Sequence, residues 1–227
     1  IALRDALGLN NLGEILRLTQ RALLVLLVIE MLGALGLFLH WRTFVPLPEA
    51  QIAWYALFHA VSAMCNAGFD LFGGLPQFPA GLLNDDITML IMSTLIFLGG
   101  IGIPVISNVL LLPKYKKLRF HVKIALITSV VLILFGGLTI MLSESMPGGV
   151  LVNEPSMWRR FGMSTAQSIS ARTAGFAWLP NFQDISSSSR FMLMTLMFIG
   201  ASPASMGGGI KTVTFVVLVL SLLSYVR

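Results

Sequence analysis

The chain has few charged residues and a single cysteine. Only 11% of its 227 residues are Asp, Glu, Lys or Arg, whereas 56% are hydrophobic. A soluble domain cannot bury so large an apolar fraction in one core, so the composition indicates a membrane protein. Cys65 alone cannot form an intrachain disulfide. No cleavable signal peptide is visible, and because the chain opens on Ile1 without a Met, we expect it to be part of a longer polypeptide.

Long apolar segments alternate with two shorter ones. Residues 18–39, 87–112, 121–142 and a broken stretch at 191–226 are each long enough to cross a hydrocarbon core of about 30 Å. Two half-polar helices, predicted at 49–64 and 155–170, are too short to cross and must turn back. The pattern predicts an all-α, multi-pass protein of the cell membrane, surrounded by the lipid bilayer.

The basic residues are unevenly distributed. Five of the fifteen fall in residues 113–123, which contain no acid: Lys114, Lys116, Lys117, Arg119 and Lys123. By the positive-inside rule this loop faces the cytoplasm. It is short and lies beside a predicted span, so its expected neighbours are lipid headgroups or a cytosolic partner, and not nucleic acid.

Two short interruptions occupy matching places in the hydropathy pattern. Residues 65–69 read Cys-Asn-Ala-Gly-Phe and residues 172–176 read Arg-Thr-Ala-Gly-Phe, and each follows one of the short helices. The match predicts a duplication, with a connector at 1–17, a first helix–pore loop–helix repeat at 18–112, a basic cytoplasmic loop at 113–120 and a second repeat at 121–227 whose last helix is broken.

Non-helical backbone at membrane depth is tolerated where it lines a wet cavity or meets a cation. A site that selects a bare monovalent cation replaces its hydration shell with backbone carbonyls, and glycine permits the conformation this requires. The sequence therefore predicts a filter built from the backbone carbonyls of Cys65, Asn66, Ala67 and Gly68 and of Arg172, Thr173, Ala174 and Gly175. Two loops cannot surround an ion alone, so two chains or two further repeats of the same polypeptide are needed.

The last apolar stretch contains a second irregular segment. A helix cannot run smoothly through Pro203 and the three successive glycines at 207–209, so an irregular loop at 200–212 is expected inside the membrane. Placed below the filter, this loop is predicted to gate ions through Gly207, Gly208, Gly209 and Lys211. It is not a phosphate-binding loop, because Ile210 separates the glycines from the lysine. A kink is expected at residues 99–104, which read Gly-Gly-Ile-Gly-Ile-Pro.

Two ionisable residues are predicted to be buried in the membrane. Arg172 is expected to stabilise its own filter loop, with Glu30 as a candidate partner. His59, on the first short helix, is expected to be a packed, hydrogen-bonded residue. The three histidines lie in different segments and no nucleophile motif accompanies them, so we predict neither an enzyme nor a site with metal-ligand spacing.

These motifs together resemble the second and third repeats of the Ktr/Trk/HKT superfamily of potassium transporters, closest to the bacterial KtrB membrane subunit. The resemblance implies four repeats around a pseudo-fourfold pore, with Gly68 and Gly175 as filter glycines and residues 200–212 as the gating loop. It implies potassium as the substrate without a covalently bound cofactor, and sodium as a coupling or activating ion. It also implies a membrane homodimer on a cytosolic ring of nucleotide-binding regulatory subunits.

Two other readings stay open at this level. The chain could be a self-sufficient two-repeat cation channel that dimerises to complete four loops. It could also be a non-conducting membrane scaffold whose loops merely pack.

Overall fold

The computed structural model describes residues 12–78, 81–82, 85–110 and 118–226, which form an all-helical fold with no strand among them. The helices are α1 (Leu12–Trp41), α2 (Glu49–Met64), α3 (Asp86–Ile101), α4 (Ile103–Leu110), α5 (Phe120–Glu144), α6 (Met157–Ala171), α7 (Ser187–Phe198) and α8 (Thr212–Val226). Short 3₁₀ turns occur at Phe72–Gly74 and Phe182–Asp184. Most of the predicted connector at 1–17 and of the basic loop at 113–120 lies outside the described residues.

Side chains cap the first backbone N–H groups of α3, α6 and α7. The Asp85 carboxylate accepts hydrogen bonds from the N–H groups of Ile87 and Thr88 at the start of α3. Ser156 and Ser186 cap α6 and α7 in the same way. The other short helix, α2, begins after Pro48 without a side-chain cap. Both short helices lie close to the predicted limits of 49–64 and 155–170.

By length and composition, α1 and α5 are each able to cross a membrane. The pair α3 and α4 passes the same test of length and composition when it is taken as one span, and the two helices meet at Gly102 with a bend of 97°. This is a sharper turn than the kink expected from residues 99–104. Large apolar side chains such as Leu24 and Leu27 on α1 and Phe135 on α5 are exposed on the outside of the bundle, as lipid-facing positions would be.

The packing follows the duplication. In the first half α1 packs on α2 and α3, and in the second half α5 packs on α6 and α7. The halves meet where α3 contacts α6, and α8 packs along α5. Each short helix is thus held between longer helices, with its C-terminal end pointing into the contact between the halves.

The core of the first half is built around Trp41, the last residue of α1. Its side chain is fully buried, its Nε1 donates to Thr88 Oγ1 at 2.7 Å, and its ring meets Phe72 edge to face at 5.0 Å. This aromatic cluster connects α1, α3 and the segment that follows the first interruption.

Candidate functional site

The two predicted filter loops lie side by side. We call residues 65–69 the first bend and residues 172–176 the second bend. A Cβ atom on Gly68 would overlap the carbonyl oxygen of Ala174 and lie 3.3 Å from the Cα of Gly175. A Cβ atom on Gly175 would lie 3.8 Å from the Cα of Gly68. The bends therefore meet at their glycines.

Both bends have the same backbone pattern. φ is positive at Asn66 (53°) and Gly68 (73°), and at Thr173 (106°) and Gly175 (89°). The alanine between each pair has no positive φ. Alternation of the sign of φ turns successive carbonyl oxygens toward one side of the chain. In a strand they alternate between two sides, and in a helix they are used in hydrogen bonds along the axis. The two bends are thus alike in backbone conformation as well as in sequence.

The backbone N–H groups of the bends are tied back to the short helices. Ala67 N–H donates to the Ser62 carbonyl and Ala174 N–H to the Ser170 carbonyl, each at 2.8 Å. Within the described part of the chain, no hydrogen-bond donor reaches the carbonyl oxygens of residues 65–68 or 172–175. The bends therefore present unpaired acceptors close to the point where they meet.

Serine side chains fix the far end of each bend. Ser62 Oγ donates to the Phe69 carbonyl at 3.0 Å and accepts from the Phe69 N–H at 2.9 Å. Ser170 Oγ donates to the Phe176 carbonyl at 2.6 Å. When the two bends are aligned on their glycines, Ser170 lies one position later in the sequence than the position that matches Ser62. The Asn66 side-chain Nδ2 lies 3.5 Å from the Ile96 carbonyl, which is a long and weak hydrogen bond.

The Arg172 side chain does not bind its own bend or Glu30. It is buried, and its Nη2 donates to the Gly200 carbonyl at 2.9 Å and to Ser129 Oγ at 3.3 Å. Among the described residues no ion pair joins Arg172 to Glu30, so the expectation of a direct pair is wrong. The physical reason is that a nearby carbonyl and a hydroxyl both accept from Nη2, whereas Nε is buried without a hydrogen-bond partner among the described residues.

The predicted interruption of the last apolar stretch is present. We call residues 199–211, between α7 and α8, the α7–α8 loop. Its ends are paired by hydrogen bonds from Ile210 N–H to the Phe198 carbonyl and from Thr212 N–H to the Ala201 carbonyl. Lys211 Nζ donates to the Gly207 carbonyl at 2.6 Å, so the lysine closes the loop on itself.

The α7–α8 loop lies against the second bend. A Cβ atom on Gly207 would come within 2.5 Å of Thr173 Oγ1. The loop is also joined to that bend by the Arg172 hydrogen bond to Gly200. The predicted filter and the predicted gate are therefore in direct contact.

His59 is packed as expected. Its Nδ1 lies 2.7 Å from the Tyr55 carbonyl and its Nε2 lies 3.0 Å from Asp70 Oδ1, just after the first bend. Burial raises the pKa of Asp70, but hydrogen bonds from His59 and the Phe72 N–H outweigh this effect, so that the pKa lies below its ordinary value of 3.8. Asp70 is thus an anion that fastens the chain leaving the first bend.

Sequence reasoning missed the positive φ of Asn66 and Thr173 and the role of Ser129. Asparagine tolerates the left-handed region, which was the only available signal for Asn66. No signal marked Thr173. Ser129 lies inside the apolar run of α5, where a small hydroxyl residue has no distinguishing pattern.

Known proteins resemble this chain along nearly its whole length. The family model described as TrkH, cation transport protein, matches residues 2–227. The chain is 31% identical to the potassium/sodium uptake protein NtpJ of Enterococcus hirae, covering 98% of this chain and 48% of that protein. It is 32% identical to the Ktr system potassium uptake protein B of Bacillus subtilis, covering 99% of this chain and 49% of that protein. It therefore spans about half the length of these relatives.

Among solved structures, the potassium transporter TrkH from Vibrio parahaemolyticus superimposes with a TM-score of 0.70 at 18% identity, covering 99% of this chain and 45% of that one. At that identity the likeness supports the fold alone. The family match and the identities above confirm the resemblance drawn from the motifs, and they place the chain among transporters and not among enzymes. The chain belongs to the TrkH family of cation transport proteins.

Proposed function

We propose that the chain forms one side of a potassium-conducting pore, in which the carbonyl oxygens of residues 65–68 and 172–175 replace part of the ion's hydration shell. The observation that carries this proposal is the pair of matching bends, which meet at Gly68 and Gly175 with unpaired carbonyls. Unpaired carbonyls at membrane depth would cost several kcal/mol each unless water or a cation meets them.

The names of the relatives support potassium as the ion that passes through this pore. The Bacillus subtilis relative carries potassium uptake in its name, and the name of the Enterococcus hirae relative carries potassium and sodium uptake. Carbonyl oxygens suit a weakly hydrated monovalent cation because they coordinate it without the strong grip of carboxylates. Sodium then acts as a coupling or activating ion.

The α7–α8 loop is the gate of this pore. Its contact with Thr173 supports a position next to the filter, and its glycines give it more than one accessible conformation. The remaining carbonyls come from further repeats of the same polypeptide. A membrane homodimer and a cytosolic nucleotide-binding ring complete the proposed assembly, on the support of the resemblance.

The test is replacement of each filter glycine by serine in the native polypeptide. Gly68→Ser and Gly175→Ser are expected to lower the ratio of potassium to sodium uptake in cells that lack other potassium uptake. Gly148→Ser is the matched control, since Gly148 also has a positive φ (90°) but no atom within 4 Å of a Cβ placed there. An unchanged uptake ratio in both filter variants would contradict the pore and favour a packing role.

A further inference from the structure

The break between α3 and α4 leaves backbone groups without helical partners. In a continuous helix the N–H of residue 104 would donate to the carbonyl of residue 100, and the N–H of residue 103 to that of residue 99. Pro104 has no N–H, and Gly102 leaves the helix with a φ of 92°. The carbonyls of Gly99 and Gly100 are therefore freed by the sequence itself.

The α7–α8 loop supplies the missing partners. Ser202 N–H donates to the Gly100 carbonyl at 3.0 Å, and Met206 N–H donates to the Gly99 carbonyl at 3.2 Å. In return, Ile103 N–H donates to the Ala204 carbonyl at 3.0 Å. Three backbone hydrogen bonds thus join two segments about a hundred residues apart in sequence, and each uses a group that the helix break released.

The glycines of the break also let the two backbones approach. A Cβ atom on Gly102 would lie 2.6 Å from the Pro203 carbonyl oxygen, and one on Gly99 would overlap the Met64 carbonyl at the end of α2. The break is consequently held between the first bend's helix on one side and the α7–α8 loop on the other. Arg172 holds the same loop from the second bend, through Gly200.

We propose that the α3–α4 break is the docking site of the α7–α8 loop, and that ions pass only when the loop leaves this site. The proposal rests on the proposed pore and gate, and it adds the site that holds the α7–α8 loop in its closed position. Undocking exposes two carbonyls and one N–H on the break, which water in an open pore can satisfy. The docked and undocked forms therefore differ by a few hydrogen bonds, which suits a switch.

A disulfide tests the docking directly. A Cβ atom on Gly100 would lie 3.9 Å from the Cβ of Ala201, within the range of about 3.5–4.5 Å found in disulfides. The pair Gly100→Cys and Ala201→Cys is made in a Cys65→Ser parent, since Cys65 is the chain's own cysteine. A protease site inserted after the exposed Met146 reports the cross-link, because the two fragments stay together only when it has formed.

Oxidation is expected to cross-link the pair and abolish most potassium uptake relative to the Cys65→Ser parent, and dithiothreitol is expected to restore it. The Cys65→Ser parent taken through the same oxidation and reduction is the control, and oxidation should not change its uptake. The cysteine pair kept in dithiothreitol gives the effect of the two substitutions without the cross-link. A cross-linked protein that still transports overturns the docking proposal. So does the absence of a cross-link in protein that elutes from size exclusion like its parent.

Pro104→Ala provides a second, cysteine-free test. The new N–H competes with Ser202 for the Gly100 carbonyl, so docking weakens and uptake is expected to rise roughly five-fold, as the loss of one net hydrogen bond permits. Pro155→Ala, before α6, is the control. Unchanged or lower uptake in folded Pro104→Ala protein contradicts the proposal.

The two proposals fail separately. If serine at Gly68 and Gly175 leaves the potassium-to-sodium ratio unchanged, the pore itself is refuted whatever the cross-link does. If those variants change the ratio and the cross-linked protein still transports, only the docking site is refuted.

Discussion

Gly68 lies so close to Ala174 that the position cannot hold a side chain: a Cβ atom there would overlap the Ala174 carbonyl oxygen. A Cβ atom placed on Gly175, its counterpart, would make only an ordinary van der Waals contact of 3.8 Å with the Cα of Gly68. Both residues have a positive φ. The duplicated bends are thus alike in conformation but unequal in the space around their glycines.

This asymmetry predicts different costs for alanine. Gly68→Ala and Gly175→Ala should each lose about 1–2 kcal/mol of stability from the left-handed φ, and Gly68→Ala should lose more because it must displace the second bend. Thermal unfolding in detergent measures the difference. Gly148→Ala, with a φ of 90° and open space, gives the cost of the conformation alone. Equal melting temperatures for the two filter variants would contradict the predicted crowding at Gly68.

Arg172 is predicted to need the reach of its guanidinium. Its Nη2 donates to both Ser129 and Gly200, and Arg172→Lys keeps the charge but places it on a shorter side chain. The expected loss is about 1.5–3 kcal/mol, the value of a hydrogen bond to a charged group, and it appears as a lower melting temperature in detergent. Arg190→Lys is the control, because that side chain donates to Gln183 on the exposed surface. A similar shift in both variants would show that the two contacts of Nη2 are unimportant.

Local sequence features predicted the short helices and the interruptions well. Pro48 precedes α2 and the Cys65-Asn66 turn ends it, so the predicted range 49–64 is the observed one. The α7–α8 interruption followed from glycine and proline content alone. The tertiary partners were not predictable in this way. A buried arginine suggested a carboxylate such as Glu30, but the fold brought a free carbonyl of the α7–α8 loop to it.

Asp70 predicts a dependence of stability on acid pH. Its pKa in the folded protein lies below the ordinary value of 3.8, so its contribution is complete above that pH and is lost as the pH falls through the folded value. Asp70→Asn should therefore lower the melting temperature at neutral pH, and the gap from the native protein should narrow below pH 3.8. Asp184→Asn, in the exposed turn of the second half, is the control. If the difference in melting temperature between Asp70→Asn and the native protein stays constant as the pH falls to the pKa of Asp70 in the folded protein, the ionised carboxylate is not the cause of the stabilisation.

Asp85 is predicted to hold two helices with one carboxylate. Its Oδ1 accepts from the N–H groups of Ile87 and Thr88 and lies 2.7 Å from His40 Nε2 at the end of α1. Asp85→Ala removes the cap and should cost about 0.5–2 kcal/mol of stability. Asp85→Asn retains an amide oxygen as an acceptor and should lose clearly less, as followed by thermal unfolding. If both variants melt at the same temperature, the negative charge and not the cap is what matters.

Gly136 on α5 is predicted to set the position of the second short helix. A Cβ atom there would come within 2.5 Å of Ser168 Oγ and 2.7 Å of Leu196 Cδ1, so α5 and α6 touch almost backbone to side chain. Gly136→Ala should cost about 1–3 kcal/mol by overpacking.

Ser168 Oγ is buried and has no hydrogen-bond partner among the described residues, so Ser168→Ala alone should be nearly neutral. The double variant should then recover part of the Gly136→Ala loss, because the new methyl group meets one fewer oxygen. Melting temperatures of the two single variants and the double variant measure this coupling. Strictly additive shifts would mean that Gly136 packs against Leu196 alone, and that the position of α6 does not depend on contact with Ser168.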